Sequence, residues 1–211
     1  MVNKGSNCRP TEAVMPPDTV LCWKTSVKPQ GEHVTVSDYT AWKSEGELAR
    51  VRLATFVAER LRERYIDPVD ALGPEDKNGF AVMALCCLLI ETLESFYQGW
   101  ARSPNSELAF CSFFDRHRRF DDFRGYSNDF YRNVRCGILH QGETTGGWTI
   151  TRRKGHPLFD PSGPRVHATK FHQQLAACVD DYSKQLETRL ITDDLWKRFF
   201  KKMDATVRSV A

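Results

Sequence analysis

The chain has 211 residues, 41% hydrophobic and 27% charged, with a formal net charge of +3 and an isoelectric point of about 8.5. That is enough chain for one domain with a sizeable core, and the composition excludes wholesale disorder. The small positive balance is compatible with a nucleic-acid partner without requiring one. Cysteines occur at Cys8, Cys22, Cys86, Cys87, Cys111, Cys136 and Cys178, an odd number with no CxxC pair. The polar opening Met1-Val2-Asn3-Lys4 is no secretory signal, so reduced thiols and a cytoplasmic protein are expected.

In chain order, residues 1–43 read as an arm. They carry Pro10, Pro16, Pro17 and Pro29 with little helical period, and only 19–23 suggests a short extended piece. Residues 44–211 read as a single helical domain. The first helix is expected over 44–65, where Ala49, Leu53, Phe56, Val57, Leu61 and Tyr65 recur at three- and four-residue steps. Arg50, Arg52, Glu59, Arg60, Arg62 and Glu63 fill the rest as a solvated charged face. Asp67-Pro68 should break it. A second helix over 79–100 opens with the apolar run Phe80 to Ile90. Its eleven residues fall short of the roughly 20 that span a membrane, which points to a buried core helix. Glu91 follows directly; it either orients Arg135 or His140, or faces solvent where the run ends.

A third helix is expected over 104–120, on Leu108, Ala109, Phe110, Phe113 and Phe114. Arg116, Arg118 and Arg119 crowd its end, where cations either suit the helix C-terminus or grip phosphate. A fourth helix covers 127–141. Beyond it, Trp148 and Ile150 alternate with threonines and Pro157-Leu158-Phe159 reads as a return strand, so a small β-hairpin should lie near 147–160. The fifth helix, 169–188, has the cleanest period in the chain. A sixth begins at Thr192, with Leu195, Trp196, Phe199, Phe200 and Met203 on its apolar side. The expected class is all-α: a bundle of five to six helices with a hairpin inserted between the fourth and fifth.

The fourth helix carries chemistry. Phe130, Tyr131, Val134 and Ile138 fall on one side, while Asp129, Asn133, Cys136 and His140 form a stripe on the other, flanked by Arg132 and Arg135. Gly142 should end the helix with a positive φ. Arg135 and His140, with four residues between them, resemble the Arg-x4–6-His signature of the HEPN superfamily, small all-helical proteins of which many are metal-independent ribonucleases in toxin–antitoxin and antiphage systems. The family usually has a polar residue straight after the arginine, where this chain has Cys136; Arg132-Asn133 has that dipeptide, but at a longer distance from His140. The resemblance covers roughly residues 45–190, mostly through helix order.

It implies endoribonuclease chemistry in which the 2′-hydroxyl attacks the adjacent phosphate. His140 would move the proton, Arg135 would stabilise the phosphorane, and Asn133 would hold the imidazole or contact phosphate. Arg132, Arg116, Arg118 and Arg119 would bind RNA. Five steps along one helix separate Arg135 and His140 by about 7.5 Å of rise and about 140° of rotation. A homodimer, with each copy giving an Arg and a His, brings them together. An antitoxin or effector protein is a further expected partner; no membrane, metal or cofactor is expected. The rival reading is a non-catalytic dimerising, nucleic-acid-binding or partner-binding module.

Other chemistries find no support. The six histidines make no zinc-like spacing, and neither a phosphate loop nor a nucleophile elbow is present. Cys136 and His140 share a face but lack a third member for nucleophilic catalysis.

Overall fold

A computed structural model describes residues 14–73 and 77–208. The class is all-α, a helical bundle with small strands. The chain begins with β1 (Val20–Cys22), paired antiparallel with β2 (Val34–Thr35), and runs into α1 (Val36–Glu45). The Asp38 carboxylate accepts from Thr35 N and Oγ1, both at 2.8 Å, and Thr35 Oγ1 accepts from Asp38 N, a closed capping box. Leu21, Cys22, Val34, Val36, Tyr39 and Trp42 are buried. The described part of the expected arm is therefore packed into the core and contains a helix; residues 1–13 lie outside the described residues.

Three groups of the expected solvated face fasten this segment instead. The backbone N–H groups of Trp23 and Lys24 donate to Glu63 Oε2 at 2.7 and 2.9 Å. Glu59 accepts from Thr25 Oγ1 at 2.7 Å and from Ser26 N at 2.9 Å, and Arg60 donates to the Leu21 carbonyl. These carboxylates satisfy backbone donors that a strand-to-strand loop leaves open.

Helix α2 (Arg50–Leu61) passes through a π turn (Arg62–Ile66) into α3 (Asp67–Asp70). Asp67-Pro68 does not break the rod, because Pro68 sits in the first turn of α3, where its missing N–H is no loss. Helix α4 (Gly79–Gln98) ends at Gly99, φ +67°, and packs against α5 (Ser106–Arg116), α8 (Ala168–Thr188) and α9 (Asp194–Arg208). Although α4 is long and apolar enough to cross a membrane, just over half of its apolar window (56%) is buried inside the protein.

After α5 the chain makes 3-10 turns (Arg118–Tyr126) and then one rod of α6 (Ser127–Phe130), a π turn (Tyr131–Arg135) and α7 (Cys136–Gln141). The 3-10 stretch places Phe120 and Phe123 in the core. Phe123 stacks on Phe114 at 5.2 Å and Phe130 on Phe171 at 5.4 Å. Burying each such ring removes it from water for about 2–3 kcal/mol.

Between α7 and α8 stands a three-stranded sheet in the order β3 (Thr149–Thr151), β5 (Arg165–His167), β4 (Phe159–Asp160). The expected strands are present but do not pair with each other. β5 lies between them, parallel to β3 and antiparallel to β4. Pro157 has no N–H to offer a neighbour, whereas His167 N donates to Leu158 O at 2.9 Å, so the true hairpin turns at 161–164.

Gly142 closes α7 with φ +69°, and the following loop folds back over the helix. A Cβ on Gly137 would fall far inside contact distance of the Glu143 carbonyl oxygen and press Thr144 Cα. Gly137→Ala should therefore destabilise by about 1–3 kcal/mol, although alanine normally gains about 1 kcal/mol over glycine in a helix. Urea unfolding of the two proteins decides this, and a stabilised variant would refute the loop packing.

Candidate functional site

Arg135 ends the π turn, a helical irregularity that often marks functional positions. Its Nε donates to Glu91 Oε1 at 2.8 Å, and the two side chains are only 16% and 18% exposed. Glu91 Oε2 accepts from Ser106 Oγ at 3.1 Å, so α5 fixes the carboxylate that fixes the arginine. The guanidinium lies 5.6 Å from the centre of the Tyr131 ring. Burial works against its charge, but the hydrogen bond and charge of Glu91 outweigh that and hold its pKa above the ordinary value. Glu91 is thus the orienting carboxylate of Arg135, not a solvated residue at the end of an apolar run.

His140 is exposed in the last turn of α7, with no hydrogen-bond partner among the described residues. Asn133 is placed differently. Its Oδ1 accepts from Thr145 Oγ1 at 2.9 Å, its carbonyl accepts from Thr145 N at 3.0 Å, and Gly146, φ +58°, packs against its amide. Asn133 anchors the loop that caps α7. Arg132, with its side chain 68% exposed, reaches Glu107 at 3.3 Å.

The other arginines sit at the far end of α5, about 15 Å of helical rise from Ser106. Arg116 holds the fully buried Glu94 through Nε at 3.2 Å and Nη2 at 2.8 Å, and stacks 4.5 Å from the centre of the Tyr97 ring. Arg119 pairs with Asp181 at 3.1 Å. Arg118 is exposed without an ion pair among the described residues. The structure therefore brings together Arg135, Glu91 and Tyr131 at one end of α5, and Arg116, Arg118 and Arg119 at the other. Tyr131 escaped the sequence reading because it was assigned only to the apolar side.

Between the arginines, His117 is buried with Nε2 unpartnered, against Phe113 at 4.5 Å and Tyr97 at 5.6 Å between ring centres. Burial first, and the Arg116 charge second, push its pKa down from 6.5 to about 4. A base depressed in the folded state leaves the unfolded chain with more bound protons between those values. Its stabilising contribution is complete above pH 6.5 and is lost as pH falls toward about 4. Between pH 7 and pH 4 this amounts to about 3 kcal/mol. Urea midpoints across that range should fall less in His117→Gln than in the unaltered protein; parallel curves would disprove the assignment.

No metal-holding group of three or more His, Cys, Asp or Glu occurs among the described residues. Comparison with family models, curated proteins and solved structures gave no match.

Proposed function

We propose that the Arg135–His140 end of α7 is half of a HEPN-like, metal-independent RNA-cleaving site, completed by a second copy of the chain about a twofold axis. The reading places the protein in the cytoplasm, in a toxin or antiphage setting. The observation that carries it is the clamped guanidinium. Glu91 takes Arg135 Nε, leaving the terminal nitrogens without a carboxylate among the described residues, and His140 stands exposed five residues further on.

In the reaction His140 accepts the 2′-hydroxyl proton and the 2′-oxygen attacks phosphorus. Arg135 of the second copy stabilises the charge on the non-bridging oxygens, and the 5′-oxygen leaves with a proton from a water molecule, which the protonated His140 restores. The product carries a 2′,3′-cyclic phosphate. Leu88, one turn before Glu91, Leu139, one turn after Arg135, and Leu108, beside the Glu107 that meets Arg132, are exposed apolar side chains bordering the pair. They suit a face covered by a second copy.

The same leucines favour the second reading, a non-catalytic module that dimerises or docks an effector. One experiment separates the two: incubate the protein with mixed RNA in EDTA, and size it by sedimentation at tens of micromolar. Cyclic-phosphate ends from a dimer support the enzyme. Intact RNA with a dimer supports the module. Cleavage lost in EDTA, or a monomer, ends the composite metal-free site.

A further inference from the structure

We propose that the cleft at the C-terminal end of α5 binds the dianionic phosphate of a phosphomonoester, carried either by a mononucleotide or by the 5′ end of an RNA strand. The cleft, of about 650 Å³, opens between the end of α5, the 3-10 turns after it and α8. Arg116, Arg118, Arg119 and Lys184 line it. Two of these cations are matched, Arg116 by Glu94 and Arg119 by Asp181. Arg118 and Lys184 are exposed and have no carboxylate partner among the described residues. The surplus is two positive charges. A phosphodiester carries one negative charge, whereas a phosphomonoester carries about −1.5 to −2 at neutral pH and offers three acceptor oxygens.

The matched pairs matter as much as the unmatched ones. Glu94 and Tyr97 fix the Arg116 guanidinium at the rim, so a ligand meets an oriented fork of donors and not a mobile side chain. Beside it His117, 7% exposed, also lines the cleft and its Nε2 has no hydrogen-bond partner. A buried polar atom left unpaired is costly, and a phosphate oxygen would give it a partner. Across the cleft, Gln185 is held by Tyr97 Oη at 3.0 Å, which keeps α8 and α4 at a fixed separation.

The inference does not depend on RNA cleavage. It concerns the opposite end of α5 from Arg135, and either claim can fail while the other stands. The test compares three probes by fluorescence anisotropy or calorimetry: adenosine monophosphate, a short 5′-phosphorylated RNA, and the same RNA with a 5′-hydroxyl. The phosphorylated RNA should bind about tenfold more tightly than the hydroxyl form. Arg118→Glu and Lys184→Glu should each abolish that preference, and Arg118→Gln should weaken it. Lys154→Glu, a charge reversal on the exposed loop after β3, should leave it intact. Binding of the mononucleotide with the same dependence identifies a free nucleotide as a sufficient ligand. Binding of the phosphorylated strand alone identifies a strand end. Equal binding of both strands, or a preference that survives in the two glutamate variants, overturns the proposal. Both altered residues are exposed, so circular dichroism should match that of the unaltered protein.

Discussion

Arg116→Ala lowers the unfolding free energy by about 3 kcal/mol, the low end of the cost of breaking a buried ion pair. For a chain of this length that is a fall of roughly 6–12 °C in Tm. Glu94 is the reason. Its side chain is 0% exposed, and its oxygens accept from Arg116 Nε and Nη2 and from Gln98 Nε2 at 2.7 Å. Removing the guanidinium leaves a carboxylate in the interior with one neutral donor. The low end applies because the Arg116 side chain is itself a third exposed, so water reaches part of the vacated space. Arg116→Lys recovers only part of the loss, since an ammonium cannot bridge both oxygens or lie flat on Tyr97. The double variant Arg116→Leu with Glu94→Leu recovers more than either single change, because no buried charge remains. Thermal unfolding of these variants, the two leucine single changes included, tests the argument, and an Arg116→Ala variant within about 1 kcal/mol of the unaltered protein would refute it. The same coupling explains why binding in the cleft is better probed at Arg118 and Lys184: a defect at Arg116 mixes lost affinity with a loosened core.

The long helices were legible because burial dictates their pattern over many turns. The apolar run Phe80 to Ile90 opens α4, and the three-to-four spacing from Phe171 to Leu186 marks the buried face of α8. Helix α1 was not legible. Only Val36, Tyr39 and Trp42 in its ten residues are buried, and its start is set by a capping box in Thr35-Val36-Ser37-Asp38 that follows a proline-rich stretch. Phe120 and Phe123 were hidden among Arg118, Arg119, Asp121 and Asp122, because a 3-10 stretch repeats every three residues and breaks the helical period.

At the site, the Glu91–Arg135 pair was one of two readings open for Glu91, and the geometry selects it. The stripe through Asn133 assumed 100° per residue across 127–141. The π turn at Tyr131–Arg135 inserts wider spacing there, and Asn133 meets Thr145. Sequence spacing read at 100° per residue carries no sign of a π turn.

If the proposed site cleaves RNA, His140→Ala should lower metal-independent cleavage by about a hundred- to ten-thousand-fold, the range for losing a general acid–base group, and leave thermal stability unchanged because the exposed imidazole holds nothing else in place. On the same proposal Arg135→Ala should lower cleavage by about a hundred- to a thousand-fold, as expected for removing one charge-stabilising donor group. It also destabilises by about 1–2 kcal/mol, since Glu91 then keeps only the Ser106 hydroxyl in a mostly buried position. The two variants therefore separate chemistry from scaffold, and together they test the twofold site. If the arginine of one chain works with the histidine of the other, a heterodimer of the two variants holds one complete site and one empty one. Random exchange makes half the dimers mixed, so an equimolar mixture of two inactive proteins regains about a quarter of full activity. If both groups act within one chain, the mixture stays as inactive as its components. Cleavage assayed in EDTA after the dimers are dissociated and reassociated decides between them, and a mixture that regains nothing while its dimers form normally rules out the composite site.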